Sequence, residues 1–264
     1  MPRDPGTFRR HAPRAPLSGL VDFFWTSDSG ARPRERVLPT GTMELVFRVD
    51  ATGRTAATVV GARSAFATLH APQPFSVVAV HFKPGGGWAF FGMPAHELRD
   101  RNVALDVLWG AHGASVRDRL WEVEMPEQRF QILEDALLDR GRDRLCRHPA
   151  VDYALRVFDR SRGSSSIGDV VRRTGISPRR FVELFGREVG LTPKLFCRIR
   201  RFGEVLARLD GRAEVDWARV ALSCGYFDQA HFNHDFLAFA GVTPSTYLRD
   251  RTARLHVALP SRPP

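Results

Sequence analysis

The stretch WARVALSCGYFDQAHFNHDFLAFAGVTPSTYLRD, residues 217–250, decides the fold. It reads as two short helices joined by a tight turn. Trp217, Val220 and Ala221 fall at i, i+3 and i+4 and form one apolar face. Gly225 follows, a residue that tolerates the positive φ of a sharp turn. Asp228 introduces the second helix, because its carboxylate can accept from the orphan N–H groups of a first turn. Phe232, Phe236 and Leu237 are expected to be the apolar stripe of that helix. Gln229, Asn233 and His234 occupy the opposite face, with polar side chains of a reach suited to base edges in a major groove. Helix, glycine turn and helix together make a helix-turn-helix unit, whose second helix is the one that enters the groove.

The same design occurs earlier in the chain. Ser166, Ile167, Gly168 and Asp169 match the S-x-x-[DE] pattern of a helix start, and Val170 and Val171 continue the apolar side. Thr174-Gly175-Ile176 makes the turn. Ser177 is a good N-cap and Pro178 suits the first helical position. Phe181, Leu184 and Phe185 share a face, leaving Arg179, Arg180, Glu183 and Arg187 on the others. Both units end alike, in Gly190-Leu191-Thr192-Pro193 and Gly241-Val242-Thr243-Pro244, where Gly can close one helix and Thr-Pro open the next. A duplicated unit is far more specific than one copy.

On these residues the region 150–250 resembles the DNA-binding domain of the AraC/XylS family of bacterial transcription regulators. The most specific parts are SPRRFVELFGREVGLTP (177–193) and GYFDQAHFNHDFLAFAGVTP (225–244). The resemblance implies seven helices, with two helix-turn-helix subdomains joined by a long helix over roughly 193–209. It implies that both recognition helices address successive major-groove segments, one helical turn of about 34 Å apart. Arg179 and Arg180 sit in the first turn of a recognition helix, where side chains meet base edges; carried over by the family pattern, Arg179, Val182 and Glu183 face the first groove, and Gln229, Ala230, Asn233 and His234 face the second. Arg suits guanine, Asn or Gln suits adenine, and Glu accepts from cytosine N4. Arg187 and Lys194 are expected on phosphates, which sets register without reading sequence. The chain departs from the family at Val170, where Ala is usual beside the turn.

At 264 residues the chain suggests one large domain or two ordinary ones, and 43% hydrophobic content is enough for real cores. No run of eighteen apolar residues exists, so no membrane span is expected. The opening MPRDPGTFRRHAPRAPLSGL lacks an apolar signal core; residues 1–16 are expected to be a disordered basic leader and 251–264 a flexible tail. Cys146, Cys197 and Cys224 are scattered and odd in number, which suits reduced, buried thiols in a cytoplasm and not disulfides. The net charge of +10 is concentrated late: residues 150–264 hold 19 basic and 12 acidic side chains, an excess that favours polyanions.

Residues 17–145 read as a β-rich, barrel-like domain ending in helices. Strands are expected at 21–25, 42–49, 56–60, 66–69 and, most clearly, 75–82, a run bounded by Pro74 and Pro84. Trp88 to Phe91 begins a helical turn, and 95–145 is expected to be helical, with Pro126 starting a helix whose inner side is Phe130, Leu133, Leu137 and Leu138. LPTGTMELVF (38–47), VHFKPGGGWAFFGMP (80–94) and LDVLWG (105–110) resemble the N-terminal sensor domains attached to a subset of AraC-like regulators. That resemblance implies an effector-binding or dimerising module. Phe23, Trp25, Glu44, His81, Phe82 and Trp88, with Phe24, are candidates to line its pocket; the competing reading makes the aromatics barrel core.

Other constellations are weak. Gly85-Gly86-Gly87 lacks the ending of a phosphate loop. His231 and His234 have no third metal ligand nearby in sequence, and His70 with His81 is a slender strand pair. The class that emerges is α+β with two domains: a β-rich N-terminal domain and an all-α C-terminal domain with two helix-turn-helix subdomains. The expected function is a cytoplasmic, non-enzymatic, sequence-specific transcription regulator. Its expected partners are double-stranded promoter DNA, RNA polymerase, a small-molecule effector and a second copy of the chain, with no cofactor, metal or membrane. Two alternatives stay open: a constitutive DNA binder whose first half only dimerises, and an N-terminal enzyme fused to a DNA-targeting module.

Overall fold

A computed structural model describes residues 8–142, 144–209, 214–251 and 256–257. The N-terminal half is built on a six-stranded antiparallel sheet in the order β1-β2-β7-β4-β5-β8, from β1 (Phe8–His11), β2 (Val21–Ser29), β4 (Glu44–Asp50), β5 (Thr55–Val60), β7 (Phe75–Phe82) and β8 (Asn102–Ala104). A smaller sheet holds β3 (Arg32–Val37) against β6 (Ala67–Ala71), with the two-residue β9 (His256–Val257) beside β3. The barrel-like expectation is corrected: β1 and β8 end the large sheet without pairing to each other, so it stays open.

The strand β7 is central, and it is buried along nearly its whole length. That is why it reads as a continuous apolar run instead of an alternating one. Side chains still alternate by face. Val78, Val80 and Phe82 join Phe24, Leu45, Phe47 and Val59 in the main core, under α1 (Trp88–Phe91), α2 (Leu105–Trp109), α3 (Ala111–Glu122) and α4 (Pro126–Gly141). Val77 and Ala79 turn the other way, into a small cluster with Ala71, Phe75, Trp25, Val46 and Leu69 between the two sheets. The expected helical region from 95 is interrupted by β8, which pairs with β5.

The leader expected to be disordered contributes a strand. Phe8–His11 pairs with β2, and Arg14 donates through its backbone N and its Nε to the buried Glu134 of α4, at 3.0 and 2.7 Å. An edge strand is held by main-chain bonds, and its charges are satisfied by a carboxylate far away in sequence, so no local apolar pattern announces it. Residues 1–7 lie outside the described residues, as does most of the expected flexible tail; of that tail, Arg251 closes the last helix and 256–257 form β9.

The C-terminal half contains seven helices among the described residues: α5 (Pro149–Arg160), α6 (Ile167–Thr174), α7 (Pro178–Val189), α8 (Pro193–Leu209), α9 (Trp217–Ser223), α10 (Gln229–Ala240) and α11 (Pro244–Arg251). Its core is aromatic, with Phe158, Phe181, Phe185 and Phe196 under the first unit and Phe202, Phe232, Phe236 and Phe239 under the second. This core is continuous with that of the N-terminal half. The 3-10 turn Ala95–Glu97 lies against α7, and the Phe66 ring covers Gly241 at the end of α10. No helix among the described residues is long and apolar enough to cross a membrane.

Candidate nucleic-acid interface

Each helix of both units starts on a side-chain cap. Ser166 accepts from the Asp169 N–H and Ser177 from the Arg180 N–H. Asp216 accepts from the Arg219 N–H and Asp228 from the His231 N–H, the last at 2.7 Å. The turn in the second unit is made by Gly225 at φ +76°, a left-handed backbone that disfavours any side chain. Caps and turn fix where α7 and α10 begin, and the apolar stripes fix which face is left outside.

On α7, Phe181, Leu184 and Phe185 are buried while Arg179, Arg180, Val182 and Glu183 are exposed. Glu183 lies 3.1 Å from Arg179 Nε and 3.7 Å from Arg180 Nη1. Such exposed pairs stabilise little and exchange readily for other partners. On α10, Gln229, Ala230, Asn233 and His234 are all exposed, opposite the buried Phe232 and Phe236. One expectation fails here: Leu237, assigned to the apolar stripe, is 51% exposed and lies beside Gln229, Asn233 and His234 along a notch of about 280 Å³. Four residues on from Asn233, it falls on the polar face; the inner position is filled by Phe236.

Lys194 is exposed at the start of α8. Arg187 is placed differently from the other arginines. It stacks over the Trp88 ring at 5.6 Å and pairs with Glu188 at 3.6 Å, on the side of α7 that meets the N-terminal half. Glu188 is itself buried, accepts from the His148 backbone N–H, and its carboxyl is pushed above the ordinary range by that burial.

Sequence reasoning missed the pair that holds α10 in place. Asp235, 1% exposed, receives Arg198 of α8 through Nη2 at 2.6 Å and Nε at 3.1 Å. The hydrogen bond that Arg198 donates to Asp235 raises the guanidinium above its usual value. A fork on a carboxylate fixes angle as well as distance, so the recognition helix is locked to the linking helix. The signal was one acidic residue inside the buried face of α10, with an arginine in α8. Beneath it Tyr226 is buried, and that burial pushes its hydroxyl up. Burial likewise pushes the Cys197 thiol up to about 12 and the Cys224 thiol up; neither forms a disulfide, and Cys146, expected to be buried like them, is exposed.

The candidate pocket residues of the first half do not converge. Phe23 stacks on His81 at 4.8 Å, His81 Nδ1 lies 2.9 Å from Glu44 Oε1, and Trp25 follows on the same side of the sheet. Phe82 is fully buried on the opposite face, as the two-residue period of a strand requires, and so is Phe24. Trp88 sits beside Arg187 at the junction of the halves. Among the described residues, no group of three or more His, Cys, Asp and Glu side chains could hold a metal ion.

Two tandem helix-turn-helix units on one linking helix define a double helix-turn-helix protein of the DNA-binding class. Residues 170–250 match the family model described as "Helix-turn-helix domain", and residues 9–104 match "Domain of unknown function (DUF6597)". The C-terminal part of the chain therefore carries a helix-turn-helix domain of that family. Comparison with curated proteins returns no match. Among solved structures it is similar to ToxT from Vibrio cholerae O395, at 11% identity over 86% of this chain and 97% of that one, with a TM-score of 0.41. It is also similar to unsaturated fatty acid bound ToxT from Vibrio cholerae strain SCE256, at 10% identity over 85% and 94%, TM-score 0.43. A third is the C-terminal domain of AraT, a response regulator from Geobacillus stearothermophilus, at 20% identity over 44% and 93%, TM-score 0.37.

Proposed function

We propose that this chain is a sequence-specific transcription regulator whose N-terminal half senses a small molecule. The observation that carries the DNA reading is the pair of recognition helices. α7 presents Arg179, Arg180, Val182 and Glu183, and α10 presents Gln229, Ala230, Asn233 and His234, each set opposite a buried aromatic face. The linking helix α8 has 17 residues, about 25 Å at 1.5 Å per residue, and separates the two readers. Lys194 contacts a phosphate, while Arg187 holds the junction of the halves instead. Residues 150–250 are the DNA-binding unit and 17–145 the sensor and dimerising unit, in a cytoplasmic protein that carries no catalytic activity and works beside RNA polymerase.

The effector reading rests on the face of the large sheet turned away from the main core. There Phe23 and Trp25 offer aromatic area beside the Glu44–His81 pair, and the Trp25 indole N–H has no hydrogen-bond partner among the described residues. Apolar walls with a few placed polar atoms suit a small organic ligand.

Fluorescence anisotropy with DNA from upstream of its own gene, beside a scrambled duplex and across a salt series, tests the proposal. Preference for the native duplex that survives moderate salt supports it. Absence of binding to either duplex at low salt refutes it. Effectors are then screened in the same assay, and a ligand whose effect is lost in His81→Ala supports the sensor reading.

A further inference from the structure

Four large apolar side chains of the C-terminal half stand in water: Val182 at 47%, Leu222 at 64%, Phe227 at 87% and Leu237 at 51% exposure. Two of them flank the polar readers of α10. Leu237 continues the stripe Gln229–Asn233 at the next i+4 position and walls the same notch. Phe227 stands immediately before the capping Asp228, at the entry of the helix. A residue there commonly packs back on the helix as a staple. Here Tyr226 packs edge-on against Phe232 at 5.4 Å instead and is buried, so Phe227 is left outside with no part in the core.

Leu237 shares one surface with Gln229, Asn233 and His234, and Phe227 stands in water at the entry of the same helix. The apolar feature on the major-groove edge of a base pair is the thymine 5-methyl group; cytosine lacks it. We propose that Leu237 and Phe227 read thymine methyl groups at the two ends of the base-pair segment addressed by α10. This rests on the reading that α10 enters the major groove. The two thymine positions bracket the bases read by Gln229 and Asn233, which lie between Phe227 and Leu237 in the chain. Leu222, on α9 away from this stripe, takes no part.

The experiment uses the full chain. A pool of random duplexes is enriched by repeated binding, and the winning duplex is resynthesised with uracil in place of each thymine in turn, which deletes only the methyl. Burying one methyl corresponds to about a fourfold change in affinity. Uracil is expected to weaken binding about fourfold at two positions. Leu237→Ala should weaken binding to the thymine duplex by a similar factor and lose sensitivity to uracil at one of them; Phe227→Ala should do so at the other. Leu222→Ala should retain both responses, and circular dichroism checks that every variant is folded. Uracil tolerated everywhere, or discrimination that persists in Leu237→Ala and Phe227→Ala, overturns the proposal while leaving the DNA reading intact, and makes this apolar surface one for a protein partner. Failure to enrich any duplex overturns both.

Discussion

Removing Asp235 should loosen the second unit from within. Its carboxylate is 1% exposed and accepts from the Arg198 fork at 2.6, 3.1 and 3.3 Å. Breaking a buried pair from one side costs about 3–5 kcal/mol, because the remaining charge is stranded. The Arg198 side chain is 26% exposed, so water recovers part of that loss. For Asp235→Ala we therefore expect about 2–3 kcal/mol of lost stability. Asp235→Asn keeps the volume and an acceptor, and should lose about half as much. Urea unfolding followed by far-UV circular dichroism measures both. The double variant Arg198→Ala/Asp235→Ala should be less destabilised than the two single losses added, with a coupling of about 1–2 kcal/mol. DNA affinity should fall in parallel, since the pair sets the angle of α10. Asp235→Ala within about 0.5 kcal/mol of the parent, or strictly additive losses, would refute the idea that this pair orients the recognition helix.

Three further outcomes follow from particular contacts. Gly190 ends α7 at φ +86°, and a Cβ there would lie 3.0 Å from the Ala95 carbonyl, so Gly190→Ala should cost about 1–3 kcal/mol in the same urea assay; an unchanged midpoint contradicts the close approach of the two halves. Burial raises the Glu188 carboxyl in the folded chain, so its contribution is fully present below the ordinary carboxylate range and is lost as pH rises through the raised value. Glu188→Gln should flatten that part of the stability–pH curve, read by thermal melts from mildly acidic to neutral pH, and an unaltered curve counts against the assignment. Arg179→Ala and Gln229→Ala should each weaken binding to the preferred duplex by about 1–3 kcal/mol with little effect on a scrambled one; equal losses on both would make them phosphate contacts.

Much of the C-terminal half was legible without coordinates. Ser177, Asp228 and Ser166 cap the helices they were expected to cap, and α8 spans the expected 193–209. Capping, glycine turns and i, i+3, i+4 stripes are short-range effects, written within a few residues of where they act. The strands β2, β4, β5 and β7 were legible for the same reason. Strand pairing is a different matter. Phe82 and His81 adjoin in sequence yet part to opposite faces, and only the packing of helices on one side and a second sheet on the other decides which is buried where.

The sequence by itself therefore determined the duplicated helix-turn-helix design, its recognition helices and their outward polar faces. The tertiary structure alone decided what depends on distant residues meeting: the leader strand tied to Glu134, the open sheet, Arg187 and Trp88 at the junction of the halves, and the Arg198–Asp235 lock. The physical reason is range. Caps, turns and periodicity act over one helical turn or one strand, whereas burial and ion pairing depend on which elements the completed fold brings together.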